Sequence, residues 1–356
     1  MDFTPEEELK KKAGTIILKS SQKLLVLTGI LSGAFAWTSF GQSTVSTPVV
    51  GFEKIDLPAN SFTSVGVNFN NTPVLSATVS AVSGGAITLS GVTNAGASLN
   101  SAEPYYIEVT SGTEAGTRLN LDVAATIAAA NASVTVAPAS SNNTATLASV
   151  ASALSGVSVQ IKKHITLADI GANITGLTAG ASGTGDEILF LDPATGGFRT
   201  YLRRSSTTWR DENNITVNTT PIPPGVGFIV NKRAVAGSII STGTIRGNNF
   251  HLNTVPGYQL VTFGFPINHS PTSLGAVGTS SSPAAGWTSG QANVADSIYA
   301  INTAGGFNQY FLRTGSSWRD GNNVTVNTTE IMPSGASYVI YKNGALNLEL
   351  VKPSGL

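Results

Sequence analysis

Apolar and polar residues alternate over short stretches along most of this chain, and helical periodicity is rare. A period of two puts successive side chains on opposite faces of a strand. It predicts strands at Ser76–Val82, Ala86–Leu89 and Tyr105–Thr110, separated by glycine-rich turns. More strands are expected at Glu187–Leu191, Phe198–Arg204, Ile215–Thr219 and Gly227–Val230. Turn chemistry separates them at Asp192-Pro193, Gly196-Gly197, Asp211–Asn214 and Pro223-Pro224-Gly225. Helical signals are confined to the alanine-rich Asp122–Ala130, to Ala145–Leu154 before Gly156, and to a single turn at Thr166–Ile170. The pattern predicts an all-β protein of tandem β-sandwich or barrel-like modules with few short helices.

The second half is duplicated. The segment GGFRTYLRRSSTTWRDENNITVNTT from Gly196 returns from Gly305 as GGFNQYFLRTGSSWRDGNNVTVNTT, with 15 of 25 positions identical at an offset of 109. Upstream, Glu187–Phe190 is aligned with Asp296–Tyr299; downstream, Ile222-Pro223-Pro224 is aligned with Ile331-Met332-Pro333. A weaker echo links Leu57–Val67 with Val255–Phe265, so similar modules are expected to begin near residues 50 and 248. The expected organisation is a signal at 1–42, an N-terminal β domain at 43–165, a first repeat at 166–250 and a second at 251–356.

The N-terminus interrupts the alternation. Lys10, Lys11, Lys12, Lys19 and Lys23 precede an apolar run, Leu24–Trp37, that is shorter than the roughly 20 residues needed to span a bilayer. This reads as an export signal cleaved after Gly41, with an N-terminal membrane anchor as the competing reading. Asp2, Glu6, Glu7 and Glu8 are unusual in such a region, and an over-extended translation start would account for them. Without residues 1–42 the chain carries 15 basic and 16 acidic residues, and no second apolar run approaches spanning length. The expected localisation is periplasm, cell surface or extracellular space.

Composition agrees with export. Charged residues are 11% of the 356, against about 25% in typical domains, and the polarity comes from hydroxyls and amides. A formal charge of zero and the lack of a Lys/Arg-rich face argue against nucleic-acid binding. With no cysteine in the chain, disulfides, thiolate metal sites, cysteine nucleophiles and a cysteine-linked lipid anchor are all excluded.

The run Pro104–Gly112, then Lys163–Leu167, then the aromatic–WRD–Pro/Gly unit resembles an uncharacterised family of exported β-rich bacterial proteins. Ile165 departs from that pattern, in which an aromatic residue is expected. The resemblance implies export and a β-rich fold and carries no assigned activity.

Candidate chemistry is sparse. His164, His251 and His269 lack metal-ligand spacing, and no nucleophile elbow, P-loop or zincin motif occurs. His164 is expected to be a hydrogen-bonded or exposed histidine, with a general-base role as the alternative. Glu187 with Asp211, and Asp296 with Asp320, provide paired carboxylates of the kind glycoside hydrolysis uses, but duplicated sites favour structure or repeated binding. The most distinctive residues are Trp209, Asp211 and Asn213 with their counterparts Trp318, Asp320 and Asn322. Three readings stay open for them: turn structure with the tryptophan at a module edge, a sugar-binding platform, or calcium held by Asp and Asn oxygens. The loops lack the EF-hand spacing. Tyr201, Arg204, Tyr310 and Arg313 repeat as expected surface pairs, and Trp287 falls in an expected exposed loop, 279–290. Together these features predict a non-enzymatic structural or adhesive protein without a cofactor, unless calcium binds. Polysaccharide, other envelope proteins or further copies of the chain are its expected partners. The alternative is a carbohydrate-binding module using Trp209 and Trp318.

Overall fold

Strand β1 (Val50–Leu57) and strand β2 (Ser61–Gly66) begin two sheets whose partner strands come more than 160 residues later. The computed structural model describes residues 49–138, 145–302, 306–344 and 347–356; the expected signal at 1–42 lies outside the described residues. Strands make up 40% and helix 8%, so the fold is all-β.

After β2 come β3 (Leu75–Ser83), β4 (Ala86–Ser90), β5 (Tyr105–Val109), β6 (Arg118–Asn120), β7 (Ser133–Thr135) and β8 (Ser158–Lys163). They form one antiparallel six-stranded sheet in the order β6-β5-β8-β3-β4-β7. Its core gathers Val79, Ile87, Ile107, Leu119, Leu154 and Ile161. The alanine-rich stretch resolves into a helix, Val123–Ala129, because Asp122 caps it through the amide of Ala125. The strand alternation predicted for this half matches β3, β4 and β5 to within a residue or two.

The chain then makes β9 (Ile165–Thr166), β10 (Glu187–Leu191), β11 (Phe198–Arg203), β12 (Trp209–Arg210), β13 (Pro221–Ile222), β14 (Gly227–Lys232) and β15 (Gly237–Thr244). Five strands assemble as β12-β11-β10-β14-β2, while β1 pairs along its whole length with β15. The second module has β16 (Phe250–Leu252), β17 (Gly257–Val261), β18 (Ser297–Ile301), β19 (Phe307–Thr314), β20 (Ser317–Asp320), β21 (Tyr338–Lys342) and β22 (Leu348–Leu350). Its sheet runs β20-β19-β18-β21-β17, and β16 pairs with β22. The two orders match strand for strand. The six-stranded sheet is therefore an insertion into the first module, between β2 and β9. This corrects the expected N-terminal domain at 43–165: residues 50–66 belong with the first repeat, and β2 is the counterpart of β17, two residues out of register with the echo between Leu57–Val67 and Val255–Phe265. Asn71 Nδ2 donates to the carbonyl of Lys163 at 3.0 Å and ties the outgoing chain to the returning one.

In the first module the inner sheet face contributes Val65, Ile188, Trp209, Phe228 and Val230. Leu57, Leu167, Ile170, Ile174 and Ile239 cover it. Burying each large side chain contributes about 1.5–3 kcal/mol. Leu167–Asn173 is helical because Thr166 and Asp169 form a capping box. Ile215–Thr219, expected as a strand, makes only an isolated bridge between Thr216 and Arg210, with Ile215 60% exposed.

The modules meet reciprocally. The Gly66 amide donates to the Gly335 carbonyl at 2.7 Å, and the Thr262 amide donates to the Gly225 carbonyl at 3.0 Å. Pairing register makes Gly66 and Thr262 equivalent, as it does Gly225 and Gly335. Such exchange is the signature of an isologous two-fold contact, here built within one chain. No helix among the described residues is long and apolar enough to cross a membrane.

Candidate functional site

The WRD turns are built alike in the two modules. Asp211 Oδ1 accepts the amides of Asn213 (3.0 Å) and Ile215 (2.7 Å), Asn214 sits at φ 63°, and Arg210 Nη1 donates to the Asn214 carbonyl at 2.7 Å. Asp320, Asn322, Val324, Asn323 and Arg319 repeat this geometry. Each Asp is a side-chain-to-backbone turn former, and each Arg binds a backbone carbonyl of the same turn. Asn213 and Asn322 contribute their amides to the turn while remaining exposed. Among the described residues no three His, Asp or Glu side chains group to hold a metal ion.

Trp209 and Trp318, each on the edge strand of its sheet, are fully buried, which corrects their reading as a sugar platform: a ring face enclosed in a core has no side left for a ligand. Asn218 holds the Trp209 amide at 2.8 Å and reaches back to the Thr207 carbonyl, and Asn327 does the same for Trp318 and Ser316. The repeated VNTT sequence thus supplies the clamp. Trp287, expected in an exposed loop, is 2% exposed and meets Trp318 edge to face at 4.9 Å. Tyr201 and Tyr310 face inward and pack against the two cores, whereas Arg204 and Arg313 are exposed at the strand ends.

One pair of repeated residues was misaligned. The strand pairing equates Asp186, not Glu187, with Asp296. Lys232 Nζ pairs with Asp186 and donates to the Gly176 carbonyl; Lys342 Nζ pairs with Asp296 and donates to the Gly286 carbonyl. All four charged side chains are fully buried. The carboxylates also accept the amides of Thr178 and Arg233, or of Thr288 and Asn343, at 2.7–2.8 Å. Burial holds the Lys342 ammonium below the usual lysine range, and Asp296 opposes that shift. Glu187 faces away from this pair and bonds Asn231 and Arg233. Of the carboxylates expected as hydrolase pairs, Glu187 is held by Asn231 and Arg233, Asp296 by Lys342, and Asp211 and Asp320 by backbone amides.

A second buried polar group ties the inserted sheet to both modules. Glu108 pairs with Lys162 at 2.8 Å and with Arg246. Arg118 donates to the carbonyls of Pro224 and His251, and the guanidinium carbons of Arg118 and Arg246 lie 4.4 and 4.3 Å from the centroid of the Phe250 ring. Burial lowers Arg118 to about 9 and Lys162 to about 8. His164 is also buried, its Nε2 3.0 Å from Asn120 Oδ1 and its ring 4.7 Å from Tyr106. Burial, then the charge of Arg118, pushes its pKa down to about 3, far below the range in which a general base works near neutrality. His269 is lowered to about 4, again by burial first.

The exposed aromatic surface lies elsewhere. On the outer face of the second module's sheet, Tyr258 on β17 stands opposite Tyr341 on β21, ring centroids 5.0 Å apart. Tyr299 on β18 is 6.0 Å from Tyr258 and 6.4 Å from Phe307 on β19. Tyr258 is 50% and Phe307 57% exposed. Gln309 Nε2 donates to the Tyr299 hydroxyl at 3.2 Å. Two residues beyond Tyr258 on the same face, Leu260 forms part of a cleft between the modules with Phe190, Arg199, Tyr201 and Pro223. The sequence signal for this face was the alternation Ile298-Tyr299-Ala300-Ile301 and Ile340-Tyr341-Lys342, where an aromatic residue occupies the solvent phase of a strand.

No protein-family model, curated protein or solved structure matches the chain.

Proposed function

We propose that this chain is an exported structural or adhesive protein of the cell envelope or extracellular matrix that works without catalysis. The observation that carries the reading is the use made of the repeated motif. In both copies Trp is enclosed in the core and Arg and Asp are bound to backbone, and what the duplication yields is two cores locked reciprocally to each other. Low charge and the absence of cysteine support work outside the cytoplasm by packing and strand pairing alone. The uncharacterised exported family that the sequence resembles is consistent with this reading.

The test is to fractionate cells producing the chain and to compare surface attachment and matrix cohesion with and without it. Recovery in envelope or medium, with attachment lost on deletion, supports the proposal. Recovery in the cytoplasm would sink it, as would release of reducing ends from a polysaccharide that stops on Asp211→Asn with Asp320→Asn.

A further inference from the structure

We infer that the outer face of the second module's sheet is a binding site for a single chain of neutral polysaccharide, contacted by Tyr258, Tyr299, Tyr341, Phe307 and Gln309. This deepens the adhesive reading and rests on it.

Three observations lead there. The first is the contrast between the two modules. Their inner faces carry the same chemistry, with Trp209 matched by Trp318 and the Asp186–Lys232 pair by Asp296–Lys342. Their outer faces share an aromatic residue at Phe62/Tyr258 and at Phe198/Phe307 but differ at the positions between them. Register places Phe62, Asn231, Leu189 and Thr200 of the first module where the second has Tyr258, Tyr341, Tyr299 and Gln309. Where the second module has Ser297, the first has Glu187, paired with Arg233. Folding a shared scaffold does not require this difference, so the tyrosines are assigned to a contact made outside the chain.

The second is charge. None of the outward positions on β17, β18 and β21, or on β19 from Phe307 to Phe311, is charged. The charges on this face, Arg319 opposite Phe311 and Arg313 beyond it, lie past the aromatic patch; within the patch the tyrosine hydroxyls match the hydroxyls of a neutral sugar. Aromatic rings with a polar edge suit ligands that are apolar on one face and wet on the other, as pyranose rings are. The third is shape. The rings are tilted 49°, 55° and 88° to their neighbours, so the surface is twisted and fits one flexible glycan chain better than the flat face of a crystalline polysaccharide.

The experiment is native electrophoresis of the full chain through gels containing galactomannan, xyloglucan or soluble starch, with alginate as the anionic comparison. The expected result is slowed migration in at least one neutral gel, none in alginate, and weakening by roughly tenfold or more in Tyr258→Ala/Tyr299→Ala. Phe62→Ala/Phe198→Ala, on the matching face of the first module, is expected to migrate as the parent. Tyr258→Ala alone, at the most exposed of the three tyrosines, replaces the double variant if the latter loses its cooperative thermal transition. Unslowed migration in every neutral gel overturns the assignment, and so does slowing that survives the tyrosine substitutions. Self-association that the same substitutions abolish, without slowing by any glycan, also overturns it and gives the face to a second copy. Cells whose attachment needs the chain while no glycan slows it would leave the adhesive role standing and remove only the glycan.

Discussion

Lys342 and Asp296 face each other at the ends of neighbouring antiparallel strands, both fully removed from solvent, and Lys232 and Asp186 do the same in the first module. An isolated ion in such a place would be prohibitive, because leaving water costs several kcal/mol even after relaxation. Here the lysine also meets a glycine carbonyl and the carboxylate also meets two backbone amides, so the pair is closed. Lys342→Met is expected to destabilise the protein by about 3–5 kcal/mol, because it strands Asp296. Lys232→Met should cost about the same. Urea unfolding checks both, and a loss under about 1 kcal/mol would mean the pair contributes little.

Acid should weaken the fold before the carboxylates titrate. His164 and His269 are held neutral by burial, with pKa values lowered to about 3 and about 4. The unfolded chain takes up protons on both near pH 6.5 while the folded chain does not, so stability rises with pH across that interval. Going down from pH 6.5, each histidine is expected to remove about 1.4 kcal/mol per pH unit, ending near pH 4 for His269 and pH 3 for His164. Unfolding midpoints between pH 6.5 and 5 isolate the effect, and His164→Gln/His269→Gln should flatten the slope.

The two buried tryptophans are not equivalent. Trp318 Nε1 donates to the Ala276 carbonyl at 2.8 Å, whereas Trp209 Nε1 has no partner. Replacing either by Ala is expected to cost about 3–5 kcal/mol through the cavity left behind. Replacement by Phe separates them. Trp318→Phe should be the more damaging by about 1 kcal/mol, since it also orphans a buried carbonyl. Denaturant titration of the two variants decides this, and equal costs would show that the indole hydrogen bond adds nothing net.

The all-β architecture was legible because period-two alternation survives in a strand with one face in a core, as in β3, and because β10 and β14 are short apolar runs bounded by turn residues. The duplication was legible because the WRD turn needs particular residue types: Asp to take two amides, Asn at positive φ, Trp to fill the core. The role of Trp209 and Trp318 was not, since an indole next to a polar turn reads the same whether its ring points in or out; Asn218, nine residues on, fixes it inward. Asp186 was missed because the hairpin after β10 is one residue longer than its counterpart after β18. Alignment carried back from the glycines at offset 109 therefore lands on Glu187. The insertion was hidden for a related reason. β2 finds its partner β14 more than 160 residues away, and local periodicity holds no record of pairing at that distance.

The reciprocal junction makes the last prediction. Gly225 lies at φ 90° with Leu252 and Phe250 of the other module against it, and Gly335 lies at φ 74° against Glu53 and Ile55 of the first. A methyl group at Gly225 would come within 2.5 Å of Leu252 Cδ2, and one at Gly335 within 2.9 Å of Ile55 Cγ1. Alanine at either site combines left-handed strain of about 1–2 kcal/mol with crowding of about 1–3 kcal/mol. Because both sites lie on one junction, separating the modules relieves both at once. Gly225→Ala and Gly335→Ala are therefore each expected to destabilise the chain and to expose the segment between β15 and β16 to protease, while the double variant costs less than the sum of the singles. Additive costs, with that segment still protected, would show that the modules hold their places without the exchange between Gly66 and Gly335.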